Sequence, residues 1–447
     1  MQKKLFLRLL FSCIVLSLLL AACSSTPPTT TGQTPTSGTT PGATATAGGA
    51  KMPTITPVST TAPEPPTQTN CPAAGTARAA IMAPLALGSH PNIVYTVNEF
   101  QGNTPTFGTL KRYDVTTRNK PEVVKLPGSI TNAQISADGQ WILFVTYSSF
   151  TSGTVKLQLV RMDGKGLQTL YCANGNSIQG PQWSTDQKLV VFGGFANGIA
   201  TVYLLNISNG NLQAELTTSI NNGIAGFNIR TWLDNTRIYL TNIQPDQPPD
   251  MIYILDTSKG PNQHISDLTT VVQKTFGDFD SSFDGTHLYV DYGLCGQGGC
   301  FPPGKITVEP ATGGTEATVL NSPQYDTVAV RAVTANTLLV LIRNDQVAGP
   351  NADTSHNGLW KMNVDGSGLT RLTTDAAHTL SALNGNSQYP WSNVSRDGSM
   401  YALEPINFQA NVSSFTLVFG SLNGGSPTTF ASIADGTQLN ITGWTTM

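Results

Sequence analysis

The residues best equipped for chemistry in this chain are few and scattered. Gly277-Asp-Phe-Asp-Ser-Ser-Phe-Asp-Gly285 places Asp278, Asp280 and Asp284 in one short stretch. Carboxylates that close together suit a hard cation such as calcium, which needs several oxygens converging on one point. Their spacing is not that of an EF-hand loop, and Asp284 also occupies a recurring turn. They are therefore weak metal candidates, and no cofactor is expected. The histidines His90, His264, His287, His356 and His378 stand singly, none within four residues of another. His287 falls in a repeated strand and reads as packing or surface, while His356 and His378 read as loop residues. Gly-x-Ser-x-Gly, His-Glu-x-x-His and Gly-x-x-x-x-Gly-Lys-Ser/Thr are absent. The linear signatures of α/β-hydrolases, zinc peptidases and phosphate-binding loops are thus missing.

The cysteines carry more information. Residues 1–22 hold Lys3, Lys4 and Arg8 ahead of the apolar run Leu9–Ala22, which ends Leu20-Ala21-Ala22-Cys23. A short basic segment before an apolar core of this length reads as an export signal rather than a permanent span. The Leu-Ala-Ala-Cys ending resembles the lipobox of bacterial lipoproteins, in which the cysteine thiol takes a diacylglycerol. The resemblance implies cleavage before Cys23 and a multi-chain lipid anchor on it, which holds a membrane far better than one acyl chain. The expected location is extracytoplasmic, on the cell membrane. Ser24 rather than Asp after the cysteine matches outer-membrane sorting if the host has two membranes.

Of the six cysteines, Cys13 lies in the removed signal and Cys23 takes the lipid, leaving Cys71, Cys172, Cys295 and Cys300. An even set in an exported chain suggests disulfides. Cys295-Gly-Gln-Gly-Gly-Cys300 can close a small glycine-softened loop, and Cys71–Cys172 follows by elimination. A metal pair at Cys295 and Cys300 lacks a second Cys pair or a histidine at ligand spacing.

Residues 23–70 form a segment of Thr, Pro, Gly, Ser and Ala in which only Lys51 and Glu64 are charged. It has too little apolar surface to offset its chain entropy and reads as a disordered tether. As a flexible coil it reaches about 40 Å. Net charge is −3 and charged residues make up 11% of the chain, against roughly 25% in a typical domain. Nucleic acid, which requires a basic footprint, is excluded as a partner. A protein or a cell-wall glycan fits such a surface.

Residues 71–447 exceed the roughly 250–300 at which a single hydrophobic core stops growing, so the fold is modular or divided. Internal repeats decide between these. One element is a lead-in strand, an Asp-Gly-like turn, then an apolar strand, as in Ser136-Ala-Asp-Gly-Gln-Trp-Ile-Leu-Phe144 and Ser282-Phe-Asp-Gly-Thr-His-Leu-Tyr-Val290. Its turn positions are Asp138, Asp186, Asp234, Asp284, Asn336 and Asp397, recurring about every 50 residues with the widest step last. A second element alternates with it, exemplified by Trp360-Lys-Met-Asn-Val-Asp-Gly-Ser-Gly-Leu-Thr-Arg-Leu372, with turn positions Asp114, Asp163, Asn206, Asp256, Glu309, Asp365 and Asn423. Asp-Gly between apolar runs signals a hairpin, because glycine accepts the positive φ the turn demands. Each step therefore supplies four short antiparallel strands, the sequence form of a propeller blade.

Seven second elements face six first elements. The missing one belongs to the opening blade, which starts directly at Asn92-Ile-Val-Tyr-Thr96, and the final Leu439-Asn-Ile-Thr-Gly-Trp-Thr-Thr-Met447 supplies it. Trp444 stands there where Trp183 and Trp232 stand in their blades. The expected fold is all-β: a β-propeller of seven blades, with six or eight as the alternatives, closed by the C-terminal strand. Trp141, Trp183, Trp232, Trp360, Trp391 and Trp444 all read as packing residues between blades.

These repeats resemble the TolB-type, WD-repeat-like propeller family, whose blades carry a Trp-Ser-Pro-Asp-Gly-like turn and a later Asp-Gly-Ser-Gly before Leu-Thr. The resemblance spans roughly Pro91–Trp444, without the proline after Trp-Ser and with several decayed Asp-Gly pairs. No N-terminal domain of the TolB kind accompanies it, so TolB's role in the peptidoglycan-associated system does not carry over. The resemblance implies a lipid-anchored, non-enzymatic module that binds a protein or envelope polymer at one mouth of the ring. The alternative is an enzyme of the lactonase or glycan-cleaving kind, its site in the central channel. A Thr/Asn-lined channel favours the first, and a cluster of acids or histidines at the mouth favours the second.

Overall fold

A computed structural model describes residues 67–73, 85, 87–147, 153–174, 178–219, 226–243, 251–293, 295–296, 299–300, 303–346, 353–375, 379–380, 382–383, 392–407, 415–433 and 437–447. The signal segment, Cys23, most of the tether, His378 and Trp391 lie outside the described residues.

The strands group into seven antiparallel blades arranged as a ring. Blade 2 shows the plan: Ser129–Ile135, Trp141–Tyr147, Thr154–Arg161 and Gln168–Asn174 pair in sequence order, from the channel outwards. Blades 3, 4, 5 and 6 repeat it, with inner strands Gln179–Trp183, Gly226–Trp232, Asp278–Ser281 and Thr327–Thr334. In blade 7, Val394 bridges Tyr401 of the strand Met400–Leu403, which pairs with Phe415–Ser421 and through it Thr428–Ile433. Blade 1 takes its inner strand from the far end of the chain: Thr437–Thr446 lies against Pro91–Gln101, with Trp444 opposite Ile93.

The hydrophobic interior is divided in the same way. Among the described residues seven separate clusters occur, each mixing side chains of two neighbouring blades; Trp141, Leu157 and Ile178 with Trp183 and Phe192 join blades 2 and 3. That is how a chain too long for one core stays well packed. It also explains why the middle strands do not alternate. Trp141–Val145 is buried on both faces because each blade has a neighbour on either side.

The repeated Ser-x-Asp sequence closes its turn with its own side chains. Ser136 Oγ donates to Asp138 Oδ1 (2.6 Å), and that oxygen and Ser136 Oγ accept the N–H groups of Gln140 and Trp141. Ser184/Asp186, Ser282/Asp284 and Ser395/Asp397 repeat the pattern. An acidic residue capping the amides two positions on is the ordinary turn chemistry of Asp. Two expectations are corrected here. Glu309 is not a turn residue: it lies in the strand Gly304–Pro310 opposite Leu288, and the chain turns after it. Trp360 is half-buried rather than core, its indole N–H donating to the His356 carbonyl (2.8 Å) and its ring facing the Arg371 guanidinium.

The N-terminal approach is pinned to the outer edge of blade 2. Cys71 and Cys172 form a disulfide with 5.7 Å between Cα atoms. Gln68 pairs in parallel with Gln168, and Thr69 accepts bonds from Thr169 and Lys156. Packing therefore begins ahead of the Cys71 boundary suggested by composition. The disulfide spans a sequence separation of 101, so in the loop-entropy description its loss costs about 4–5 kcal/mol. Urea melts of the Cys71→Ser/Cys172→Ser chain against the parent check this; coincident curves would show that the bridge constrains little.

Candidate functional site

In an up-and-down blade the connections alternate between the two ends of the ring. The turns after first and third strands, including all the Ser-x-Asp turns, lie on one face. Connections from second to third strands and from blade to blade lie on the other. On the first face the connections are short except in blade 4, where Thr257–Lys259 and Ile265–Asp267 form two 3-10 turns before the outer strand. The second carries longer connections, whose described residues include 292–293, 295–296, 299–300, 343–346, 353–357 and 404–407. From these, Cys295–Gly296, Gly299–Cys300 and Asp345–Gln346 form a small three-stranded sheet above blades 5 and 6. Scaffold strands with elaborated loops at one end are where binding residues concentrate, so this loop face, with the channel beneath it, is the candidate site.

The inner strands that wall the channel are irregular. Register slips occur between Thr131 and Gln134, Gln179 and Gln182, Ile229 and Thr231, and opposite Thr442 in blade 1. Such bulges redirect side chains and are frequent beside functional sites. In blade 2 the slip is accompanied by a positive φ of 48° at Asn132, a conformation that asparagine tolerates better than most residues.

Two dissimilar regions result. On the wall formed by blades 4, 5 and 6, Arg230 Nη2 donates to Asp278 Oδ1 (2.5 Å) and Arg331 Nη1 to Asp278 Oδ2, while Asp280 Oδ2 accepts the Ala332 N–H (2.9 Å). Arg331 is 4% exposed, so this is an interior ion network. Burial alone would raise the Asp278 carboxyl, but the guanidiniums of Arg331 and Arg230 overcome it and hold it below the usual range. Asp280, buried with less compensation, is pushed up to about 7.

Between blades 7, 1 and 2 lies a cavity of about 320 Å³ walled mainly by Thr96, Thr131, Asn132, Gln438, Asn440 and Thr442, with Leu383 and Ile441 as apolar surface. Glu404 also lines it, accepting the Ile441 N–H, and its burial raises the carboxyl to about 7. The volume is at the small end of ligand sites.

The structure separates the three sequence-marked carboxylates by role. Asp278 and Asp280 serve the ion network, whereas Asp284 is held in its turn by Ser282 and Thr286. No group of three or more His, Cys, Asp or Glu side chains suited to a metal occurs among the described residues. The backbone sets Cys295 opposite Cys300; their side chains lie outside the described residues. His90 meets Asp114, His287 meets Thr286, and His356 stacks between Tyr325 and Trp360. Sequence reasoning passed over Arg230, Arg331 and Glu404. The signal for the two arginines was present: each is a full charge within a lead-in strand, immediately ahead of a repeat turn, in a chain with few charges.

No protein-family model matches the sequence, and no curated protein matches it either. Solved propeller structures do resemble the fold. TolB from Acinetobacter baumannii is 15% identical with a TM-score of 0.42, over 62% of this chain and 61% of that one. This chain therefore spans less than two thirds of that protein. The periplasmic gluconolactonase of Pseudomonas aeruginosa is 12% identical with a TM-score of 0.49, over 78% and 99%. Oligopeptidase B of Leishmania major is 14% identical with a TM-score of 0.48, over 78% and 50%.

Proposed function

We propose that this chain is an exported, lipid-anchored envelope protein whose propeller is a binding module, taking a neutral, hydroxyl-rich polymer such as a cell-wall glycan into the channel cavity at its loop face. The lining carries the reading. Hydroxyls and amides that both donate and accept, set beside a small apolar surface, match sugar hydroxyls and ring faces. Binding is favoured over glycan cleavage because Glu404 is the one carboxyl among the described lining residues, whereas glycosidases generally use a pair. The lipobox-like Cys23 and the long tether support an anchored module that reaches outwards from a membrane.

Calorimetric titration of the mature chain with soluble cell-wall oligosaccharides tests the site. Asn440→Ala is expected to weaken binding at least tenfold, about 1.4 kcal/mol, while Glu404→Gln keeps it. Equal binding by Asn440→Ala would remove the cavity from the proposal. Shortened oligosaccharides that vanish with Glu404→Gln would make the protein an enzyme. Anchoring is tested by mass spectrometry of the mature N-terminus, where an unlipidated Cys23 would end that part of the reading.

A further inference from the structure

A second site emerges where the loop after the second strand of blade 5 lies against the first strand of blade 6, away from the channel cavity. Asp291 ends the strand His287–Asp291, and Asp326 immediately precedes the strand Thr327–Thr334. Both residues are fully buried. Thr327 links them: its hydroxyl donates to Asp291 Oδ1 (2.5 Å) and its N–H to Asp326 Oδ1 (2.9 Å). The Gly293 N–H also donates to Asp291 Oδ1 (2.9 Å). The two segments approach so closely that a Cβ at Gly293 would meet the Thr327 carbonyl oxygen and Asp326 Oδ1, at 1.7 and 2.5 Å. Two carboxylates and a backbone carbonyl thus gather around one glycine.

The second oxygen of Asp291 marks what this gathering is for. Asp291 Oδ2 is buried and has no hydrogen-bond partner, in a side chain whose other oxygen has two. A buried carboxylate oxygen without a donor is costly, since the group has surrendered its water for nothing. The surrounding charge points the same way. Asp278 and Asp326 lie close enough to Asp291 to disfavour its negative charge, which a cation there would offset. A divalent cation would satisfy the orphaned oxygen.

We propose that Asp291 and Asp326 bind a calcium ion between blades 5 and 6, beneath the small sheet of Cys295–Gly296, Gly299–Cys300 and Asp345–Gln346. The donors are hard oxygens only, which selects calcium or magnesium over zinc or copper. Calcium is the fitting member, because it accepts irregular shells of carboxylate and carbonyl oxygens, whereas magnesium demands a near-ideal octahedron. The ion would fix the loop that carries the small sheet to the first strand of blade 6, and so hold one side of the loop face in place.

The test uses the mature chain stripped with EDTA and then dialysed free of it. Calorimetric titration with calcium chloride is expected to show one site with Kd of about 10⁻⁴–10⁻³ M, the range of extracellular calcium modules, and calcium is expected to raise the melting temperature. Asp291→Asn should abolish the melting shift and weaken binding more than tenfold. Asp365→Asn, on the exposed turn face, should leave both unchanged. Should Asp291→Asn fold poorly, Asp326→Asn and the parent titration still decide. No binding by the parent chain overturns the site, as does an equal melting shift in Asp291→Asn. A magnesium response as strong as that to calcium overturns the choice of ion.

Discussion

Trp444→Ala is expected to destabilise the folded chain by about 3–5 kcal/mol, the usual cost of emptying a buried tryptophan position. Deletion of Ile441–Met447 should cost at least as much, although terminal residues are ordinarily expendable. The expectation follows from where the strand goes. Trp444 is 0% exposed and packs in the cluster that joins blade 7, through Leu417 and Phe430, to blade 1, through Ile93 and Tyr95. The backbone around it is tied on both sides. Met447 and His90 exchange N–H to carbonyl bonds, Thr445 Oγ1 donates to the Gly139 carbonyl, and Arg396 reaches from blade 7 to the carbonyls of Ala137 and Trp444. Removing the tail unpairs one edge of Pro91–Gln101 and opens the ring. Trp444→Phe should be milder, since it keeps most of the aromatic surface and deletes an indole N–H that has no partner. Thermal and urea melts of the three variants check the order. A deletion that melts with the parent would mean the ring is held shut by other contacts.

Arg331→Met should cost a similar amount, about 3–5 kcal/mol at neutral pH, for a different reason. Taking one partner from a buried ion pair leaves the other's charge uncompensated. As a charged partner Asp278 would keep Arg230, whose side chain is 27% exposed against 4% for Arg331. The double variant Arg331→Met/Asp278→Asn should recover much of the loss, because the stranded charge is gone. The sign of the pH effect follows. In the parent, Asp278 is held below its ordinary value, so its contribution is present above the unfolded value and lost only in strong acid. In Arg331→Met the carboxyl rises and can take a proton during folding. The gap between parent and variant should therefore narrow as pH falls from 7 towards 5. A gap that is constant with pH would mean that lost packing, not stranded charge, accounts for the cost.

The ring was legible because its signals are local. Asp138, Asp186, Asp284 and Asp397 announce their turns through neighbours two residues away, and such short-range chemistry survives in a bare sequence. The closing strand was legible by counting, since the opening blade lacked a lead-in that Leu439–Met447 could supply. The channel was not legible in that way, because its partners lie one blade apart. Arg230 reaches Asp278 across a separation of 48, Gln134 meets Gln182 across 48, and Arg331 meets Asp278 across 53. Those separations match the spacing of the turns. Stacking the sequence at its own period therefore brings Arg230, Asp278 and Arg331 nearly into line, which reading along it does not. Glu404 defeats even that device. It enters the cavity from the segment after Met400–Leu403, within the widest step of the second repeated element, between Asp365 and Asn423. Glu309 failed in the opposite sense: an acidic residue near a strand end mimicked a turn signal, although its place is inside the sheet.

The origin of blade 1 from both ends of the chain also imposes an order in time. During synthesis Pro91–Gln101 is among the first strands made, and its outward neighbour Thr104–Asp114 follows at once. Its inward neighbour, Thr437–Thr446, is the last to appear. Until then the growing protein is an open arc, each finished blade resting on the one before it, with a bare strand edge at its oldest end. Such an edge is a template for any other extended chain nearby, and partly built proteins of this kind are prone to association. The interval of exposure equals the time needed to make nearly the whole domain. The same strand that seals the ring thus works as a completion signal: a truncated product keeps its sticky edge, and a finished one hides it.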